Sequence, residues 1–117
     1  MSSKQKSRLN RISIVLASWC PHCVPLSLEM SKKMASDLQV PLRVLDIDHN
    51  IDGRTADDLI RQHGDYCDDY IIPQVFLEFS DGTVSHIFTG FSESTEVTKK
   101  RWDDLFQSEM YSHLRPT

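Results

Sequence analysis

Short apolar runs alternate with amphipathic stretches along the chain, and this pattern predicts four strands and three helices. Runs of about four to eight residues rich in Ile, Leu and Val predict buried strands. Apolar residues that recur every three or four positions predict helices with one buried face. The predicted elements are a strand over 11–17, a helix over 24–38, a strand over 42–47, a helix over 56–63, strands over 74–79 and 83–89, and a helix over 95–113.

Turn and capping residues support several of these boundaries. Pro25 lacks a backbone N–H about one turn into the first helix, which predicts an irregular start there. Gly64 is suited to end the second helix, and Asp81-Gly82 between two apolar runs predicts a hairpin. Side-chain oxygens that could cap the last helix are those of Ser92, Ser94 and Thr95.

The element order is β-α-β-α-β-β-α, which predicts an α/β fold. A strand, a crossover helix and a second strand form a parallel unit, and the hairpin adds antiparallel strands. We therefore expect a four-stranded mixed sheet flanked by helices. A chain of 117 residues suits one domain, which we assign to residues 11–117 after a flexible polar N-terminus over residues 1–10.

Composition narrows the functional classes. Hydrophobic residues make up 39% of the chain and charged residues 26%, which is typical of neither a disordered nor a membrane-embedded protein. A net charge of -4 argues against nucleic acid as the main partner. Because no apolar run approaches the roughly 20 residues of a membrane span or resembles a secretory signal, no membrane association is expected and a cytoplasmic location is the default prediction.

The strongest chemical signal is Trp19-Cys20-Pro21-His22-Cys23, at the predicted junction between the first strand and the first helix. Unpaired N–H groups at a helix N-terminus stabilise a thiolate, which is the nucleophile in disulfide exchange. We expect Cys20 to be the attacking thiol and Cys23 the buried resolving thiol. Trp19 would supply an apolar surface for a substrate peptide.

His22 is the third candidate catalytic residue. An imidazole between the cysteines favours thiolate over disulfide, which makes the couple a stronger oxidant. The alternative is a side chain that only faces solvent.

Two other interpretations of the cysteine pair are weaker. A zinc site needs a second ligand pair, but Cys67 is alone and no histidine pair has a suitable spacing near it, so no metal is predicted. Two ordinary buried cysteines are the other alternative, and they are disfavoured because this spacing between a strand and a helix is a redox signal. Cys67 itself is interpreted as a loop cysteine, with a redox-regulated third thiol as the alternative.

Several motifs together resemble the thioredoxin superfamily over nearly the whole chain. They are Trp19-Cys20-Pro21-His22-Cys23, Ile72-Pro73-Gln74-Val75-Phe76, the Asp81-Gly82 hairpin and Gly90. The resemblance implies the thioredoxin fold and a redox-active disulfide between Cys20 and Cys23, without another cofactor. It also implies that Pro73 is cis and lies against the dithiol, and that the Ile72 backbone pairs with an extended peptide. Trp19 and Pro21 would be further substrate contacts, and the alternative for Pro73 is an ordinary trans proline.

The branch within that superfamily is mixed. Cys-Pro-His-Cys resembles oxidising periplasmic enzymes, whose large helical insertion this chain is too short to hold. Pro73-Gln74-Val75-Phe76 resembles glutaredoxins, but Thr89-Gly90-Phe91-Ser92 stands where those proteins carry a Gly-Gly pair and an acid. Thioredoxins have a buried acid six positions before the first cysteine, where this chain has Ile14, so the proton acceptor for Cys23 is unidentified.

The sequence therefore predicts a monomeric thioredoxin-like thiol–disulfide oxidoreductase that contributes to cell redox homeostasis. Its partners would be a protein or small-molecule disulfide as substrate and a reductase or glutathione as electron donor. One alternative is a glutaredoxin-like, glutathione-dependent oxidoreductase. The other is a non-catalytic thioredoxin-fold module that binds a partner or handles a metal.

Overall fold

Four strands and four helices form the described part of the chain. The structure, a computed structural model, describes residues 8–90 and 94–114, apart from the side chain of His22. The elements are β1 (Leu9–Leu16), a distorted helical turn (His22–Ser27, the 22–27 turn), α1 (Leu28–Leu38), β2 (Leu42–Asp46), α2 (Asn50–His63), β3 (Gln74–Phe79), β4 (Val84–Thr89), α3 (Thr95–Phe106) and α4 (Glu109–Leu114).

The strands form one mixed sheet in the order β2-β1-β3-β4. β1 and β2 are parallel, and Leu16 lies opposite Asp46 where both strands end. β3 is antiparallel to β1 and to β4, and Gly82 turns the β3–β4 hairpin with a φ of 91°. The expectation of an α/β architecture with a four-stranded mixed sheet flanked by helices is confirmed.

Helices cover both faces of the sheet. Neighbouring residues of a strand point to opposite sides, so the consecutive buried residues of β1 and β3 place apolar side chains on both faces. On one face, Phe88 of β4 stacks on the indole of Trp102 from α3, with ring centroids 4.2 Å apart. On the other face, the ring of Phe76 contacts Gly64 directly after α2. Trp102, Phe76 and most aliphatic residues of β1 are fully buried between these layers. None of the described helices is long and apolar enough to cross a membrane.

The N-terminal boundary differs from the prediction. β1 begins at Leu9, so Leu9 and Asn10 belong to the sheet rather than to a flexible segment over residues 1–10. Arg8 extends the pairing of β1 with the β3–β4 hairpin by one residue. Its carbonyl accepts a hydrogen bond from Ser80 N, and its own N–H donates to Ser80 Oγ. Residues 1–7 lie outside the described part.

The first helix starts irregularly, as Pro25 predicts. Val24 has φ −129° and ψ 126°, far from helical values, and regular α1 begins only at Leu28. A residue before proline is driven out of the helical region by its clash with the proline ring, which explains the conformation of Val24.

The second helix begins at Asn50, six residues before the predicted start. The prediction treated Gly53 as part of a connection, but Gly53 lies inside the helix. A Cβ at Gly53 would lie 2.8 Å from the Ile47 carbonyl oxygen, so the missing side chain permits close packing. The predicted end is confirmed, since Gly64 follows the last helical residue and its N–H donates to Ile60 O.

The predicted last helix is two helices, which is a correction. Ser108 Oγ donates to Leu105 O and accepts from Tyr111 N, so the hydroxyl both competes with the helical pattern and starts α4. At the beginning of α3, Ser94 is the cap, because its side chain accepts from Val97 N. Thr95 is the first helical residue, and Ser92 lies outside the described part.

Candidate active site

The dithiol lies immediately after β1, where its loop folds into the 22–27 turn. Cys20 N donates to Ala17 O at 3.1 Å, and the Cys20 carbonyl accepts from both Cys23 N and Val24 N at 3.0 Å. Cys20 is 4% exposed and Cys23 is fully buried, and both are free thiols. The structure thus brings the two cysteines together, with Cys23 the more deeply buried.

The helix N-terminus is farther from the thiols than expected. Only a distorted turn follows Cys20, and the aligned amides of α1 begin at Leu28. The sequence argument placed the start of a helix, predicted over 24–38, next to the cysteines, but the non-helical Val24 delays the regular helix to Leu28. A macrodipole acts mainly within its first turn, so its effect on Cys20 is smaller than that argument assumed.

Electrostatics keep Cys23 protonated at neutral pH. Burial raises the pKa of Cys23 well above its ordinary value, and a hydrogen bond with the Cys20 side chain raises it further. A hydrogen bond with the Ala17 backbone lowers the pKa in part, and the charges of Cys20 and, least of all, Asp46 raise it. A resolving role for Cys23 therefore requires a group that takes up its proton.

Asp46 is a site residue that the sequence interpretation missed. It ends β2 opposite Leu16, and its carboxylate accepts a hydrogen bond from Asp48 N at 2.9 Å. The signal was present, since carboxyl ends of parallel strands meet at one edge of a sheet. An acid that ends the second strand is thereby brought beside the loop that follows the first.

Trp19 is held at the surface by a second acid from the same segment. Its side chain is 66% exposed, and its Nε1–H donates to Asp48 Oδ2 at 2.9 Å. A large apolar side chain this exposed, yet oriented by a hydrogen bond, is suited to contact another molecule.

An apolar groove of about 410 Å³ opens beside Cys20. It collects four residues singled out from the sequence, Trp19, Cys20, Pro21 and Ile72, although Ile72 is more than fifty positions from the others. The remaining lining residues are Asp69, Tyr70 and Ile71. Cys23 does not line the groove, which leaves Cys20 as the thiol that a bound molecule meets first.

The peptide bond between Ile72 and Pro73 is cis, which is the geometry that the resemblance implies. Pro73 is buried and does not line the groove, while Ile72 does. Gly90 N donates to Pro73 O, and a Cβ at Gly90 would lie 2.6 Å from Pro73 Cδ. The close approach explains why glycine stands at position 90.

Gln74 shapes the segment that forms the far wall of the groove. Its fully buried amide accepts from Asp65 N at 3.0 Å and donates to Ile71 O at 2.9 Å. These bonds satisfy the backbone at both ends of the 65–71 loop. Sequence reasoning assigned Gln74 to a strand and missed this role, which depends on contacts that the strand pattern does not reveal.

Of the two other sequence candidates, Cys67 stands apart from this groove and the side chain of His22 is not described. Cys67 is exposed and lines a neighbouring depression with Tyr66 and Thr89, separate from Cys20. His22 begins the 22–27 turn, but its side chain lies outside the described part, so its proposed effect on the thiols stays a prediction.

A second polar cluster joins Asp65, His86 and Thr89. Thr89 Oγ1 donates to Asp65 Oδ2 and contacts His86 Nε2, both at 2.7 Å. Asp65 also approaches the same His86 Nε2, at 3.7 Å. A nucleophile triad needs the acid on the opposite imidazole nitrogen, so this cluster is not arranged as one.

Neither a group of metal ligands nor a similar known protein assigns a further role to these residues. Among residues 8–90 and 94–114, no group of three or more His, Cys, Asp or Glu side chains is placed to hold a metal ion. Comparison with protein-family models, curated proteins and solved structures finds no match for this chain.

Proposed function

We propose that the protein is a thioredoxin-like thiol–disulfide oxidoreductase that acts on peptide disulfides through Cys20 and Cys23. The observation that carries the proposal is the arrangement of the dithiol. Cys20 lines an apolar groove, whereas Cys23 is fully buried beside it and is not part of the groove wall. The proposed thioredoxin fold is compatible with the sheet order β2-β1-β3-β4 and with the cis bond before Pro73.

The reaction proceeds in two exchanges. The Cys20 thiolate attacks one sulfur of the substrate disulfide, a Cys20–substrate disulfide forms, and the other substrate sulfur leaves as a thiolate that takes a proton. Cys23 then loses its proton and attacks the Cys20 sulfur. This forms the Cys20–Cys23 disulfide and releases the second substrate thiol, so two electrons pass from the protein to the substrate.

The proton of Cys23 needs an acceptor, and Asp46 is the proposed one. Ile14 stands where the resemblance leads one to expect an acid, but the charge of Asp46 reaches Cys23 from the neighbouring strand. In this proposal the proton passes to Asp46 directly or through a water, because among the described residues Asp46 is the one carboxylate whose charge acts on Cys23.

Regeneration of the dithiol requires an external thiol reductant, either a protein dithiol or glutathione. The direction in a cell depends on the reduction potential of the couple. His22 is proposed to make the couple more oxidising, so His22→Ala is expected to shift its equilibrium in glutathione redox buffers toward the disulfide form.

The test uses single cysteine variants with a peptide disulfide as substrate and dithiothreitol as reductant. Cys20→Ser is expected to abolish catalysed exchange, because the attacking sulfur is gone. Cys23→Ser, reduced beforehand and freed of dithiothreitol, is expected to accumulate a covalent mixed disulfide with the peptide, detected by mass spectrometry.

Cys67→Ser is the matched control, since Cys67 lies outside the groove, and it is expected to react like the unmodified protein. Unchanged exchange in Cys20→Ser, or a Cys23→Ser variant that traps no substrate, would overturn the proposal.

A further inference from the structure

The groove beside Cys20 combines an apolar wall with an acidic rim. Trp19, Ile71 and Ile72 contribute apolar surface, and Trp19 and Ile71 are 66% and 41% exposed. Asp69 lines the same groove. A ligand that covers this surface therefore meets a carboxylate within the groove itself.

Two further carboxylates are attached to the lining residues by hydrogen bonds. Asp48 Oδ2 accepts from Trp19 Nε1 at 2.9 Å, and Asp57 Oδ1 accepts from Tyr70 Oη at 2.7 Å. Both donors are neutral, so neither bond cancels the charge of the acid. The groove is thus bordered by acids on the side of Trp19 and on the side of Tyr70.

Within the described residues, none of these three carboxylates forms an ion pair, and Arg61, the cation on the side of Tyr70, lies over the Tyr66 ring at 4.4 Å from its centroid. No Lys or Arg lines the groove. The ion pairs formed by the described acids elsewhere, such as Glu78 with Arg43 and Asp103 with Lys99, do not include Asp48, Asp57 or Asp69. The formal charge of the described side chains that line or border the groove is therefore negative.

A low-dielectric groove that carries charges of one sign concentrates the field and raises the local concentration of oppositely charged ligands. A peptide with apolar and basic residues satisfies both parts of this surface. Glutathione disulfide carries a net negative charge and little apolar surface, so it matches neither part.

We propose that the groove selects disulfides in basic peptide segments, with Lys or Arg flanking the attacked cysteine, over acidic segments and over glutathione disulfide. The inference rests on the proposed function, since it assigns a substrate class to the same Cys20 chemistry. It also separates this protein from the glutathione-dependent alternative.

The test measures the rate at which the reduced protein reacts with three peptides of matched length. Each carries one cysteine blocked as a mixed disulfide with thionitrobenzoate, flanked by Lys, Gln or Glu, and release of the coloured thiolate is followed. Each rate is divided by the rate of the same peptide with 2-mercaptoethanol, which removes the intrinsic effect of peptide charge on disulfide reactivity.

The Lys-flanked peptide is expected to react about tenfold faster than the Glu-flanked peptide at low ionic strength, the lower end of electrostatic steering effects. The ratio is expected to fall to about twofold near 0.5 M salt, where screening shortens the range of surface charges to roughly 4 Å. Glutathione disulfide is expected to react more slowly than the Lys-flanked peptide disulfide.

Charge-neutral variants locate the effect. Asp69→Asn and Asp48→Asn are each expected to lower the Lys-to-Glu ratio by about twofold, the share of one charge in a steering effect of this size. Asn at position 48 can still accept the hydrogen bond from Trp19. Glu109→Gln is the control, because α4 contacts Asp37 near the far end of α1 and is remote from the dithiol.

The outcomes separate the two proposals. An equal rate for all three peptides, a ratio that does not depend on salt, or Asp variants that keep the full ratio would overturn the substrate inference while leaving the proposed function intact. If no peptide reacts faster with the protein than with 2-mercaptoethanol, and Cys20→Ser changes nothing, the proposed function fails and the inference fails with it.

Discussion

Cys20 and Cys23 are only three positions apart in the sequence, but their side chains have different surroundings. Cys20 meets the groove, while Cys23 lies among buried groups and near the charge of Asp46. The chemistry of the pair therefore depends on residues outside the motif. Asp46 and Gly90 are two single residues through which this dependence can be measured.

Replacement of Asp46 by Asn is expected to lower the pKa of Cys23. A negative charge near a thiol disfavours the thiolate, so removing that charge makes ionisation easier. Burial is the largest cause and the Asp46 charge the smallest, so the decrease is small and the pKa stays above the ordinary value. The rate at which Cys23 is alkylated at a fixed alkaline pH, followed by mass spectrometry, measures the change in thiolate fraction.

Asp58→Asn is a suitable comparison, because this exposed acid on α2 does not contribute to the pKa of Cys23. An alkylation rate of Cys23 that is identical in Asp46→Asn and the unmodified protein would contradict the assigned role of the Asp46 charge.

Gly90→Ala is expected to destabilise the fold by about 1–3 kcal/mol, the usual cost of overpacking a filled site. The new Cβ would meet Pro73 Cδ at 2.6 Å, so Pro73 and the neighbouring Ile72 must shift. We also expect slower reaction of Cys20 with a peptide disulfide, because Ile72 lines its groove. Denaturant unfolding and exchange rates measure the two effects.

Gly82→Ala separates strain from displacement of the site. Gly82 has φ 91° but open space around its Cα, so alanine there costs about 1 kcal/mol through backbone strain alone. Exchange rates are expected to stay unchanged in this variant. Equal loss of exchange rate in both glycine variants would argue against a specific role for the contact between Gly90 and Pro73.

At the scale of elements, one buried hydrogen bond ties the 22–27 turn to α3. Trp102 Nε1 donates to Ser27 Oγ at 2.8 Å, and both side chains are fully buried. Ser31, one turn further along, is equally buried, but its hydroxyl has no hydrogen-bond partner among the described residues. The two serines therefore form a natural matched pair.

Ser27→Ala is expected to cost about 1–3 kcal/mol, because it leaves the buried indole N–H without a partner. Ser31→Ala removes a hydroxyl that forms no such bond, so we expect a change within about 0.5 kcal/mol or a gain in stability. Chemical denaturation of the two variants gives the comparison directly. Equal destabilisation by both substitutions would contradict the role given to the Trp102–Ser27 bond.

At the scale of the whole molecule, an acid on β3 connects three strands. Glu78 accepts from Arg43 Nη2 at 2.9 Å, from Arg11 Nε at 3.1 Å and from the buried Ser13 hydroxyl. Burial alone would raise the pKa of Glu78, but the hydrogen bonds from Ser13 and Arg11 and the charges of Arg43 and Arg11 outweigh it and lower the pKa. The cluster therefore stabilises the sheet only while Glu78 is ionised.

A lowered carboxyl pKa makes stability depend on pH in one direction. The contribution is fully present above the ordinary Glu pKa of about 4.3 and is lost as the pH falls through the lower folded value. Glu78→Gln is thus expected to cost about 1–3 kcal/mol at pH 7, the range for a charged hydrogen-bonded group. The free energies of unfolding of the two proteins should converge in strong acid.

Denaturant unfolding at neutral pH and at a pH well below 4 measures this convergence. A difference between Glu78→Gln and the unmodified protein that is the same at both pH values would mean that ionisation of Glu78 does not stabilise the sheet.

The sequence by itself determined the types and order of most elements and the position of the cysteine pair. These features are local, since strand and helix periodicity, the Asp81-Gly82 turn and the Cys20–Cys23 spacing all depend on neighbouring residues. The prediction was wrong about two helix boundaries. It started α2 at residue 56 rather than Asn50, and it did not contain the break at Ser108. Packing against Ile47 and hydroxyl bonds to the backbone override periodicity at those points.

Only the tertiary structure decided what surrounds the dithiol. Parallel pairing of β1 with β2 brings Asp46 to the same sheet edge as Cys20, and the bonds of Gln74 shape the loop that brings Ile72 to the groove. Asp46 is 26 positions, Ile72 52 positions and Gln74 54 positions from Cys20 along the chain. Local pattern carries no information about such pairs, because strand register and side-chain packing across the sheet bring them together.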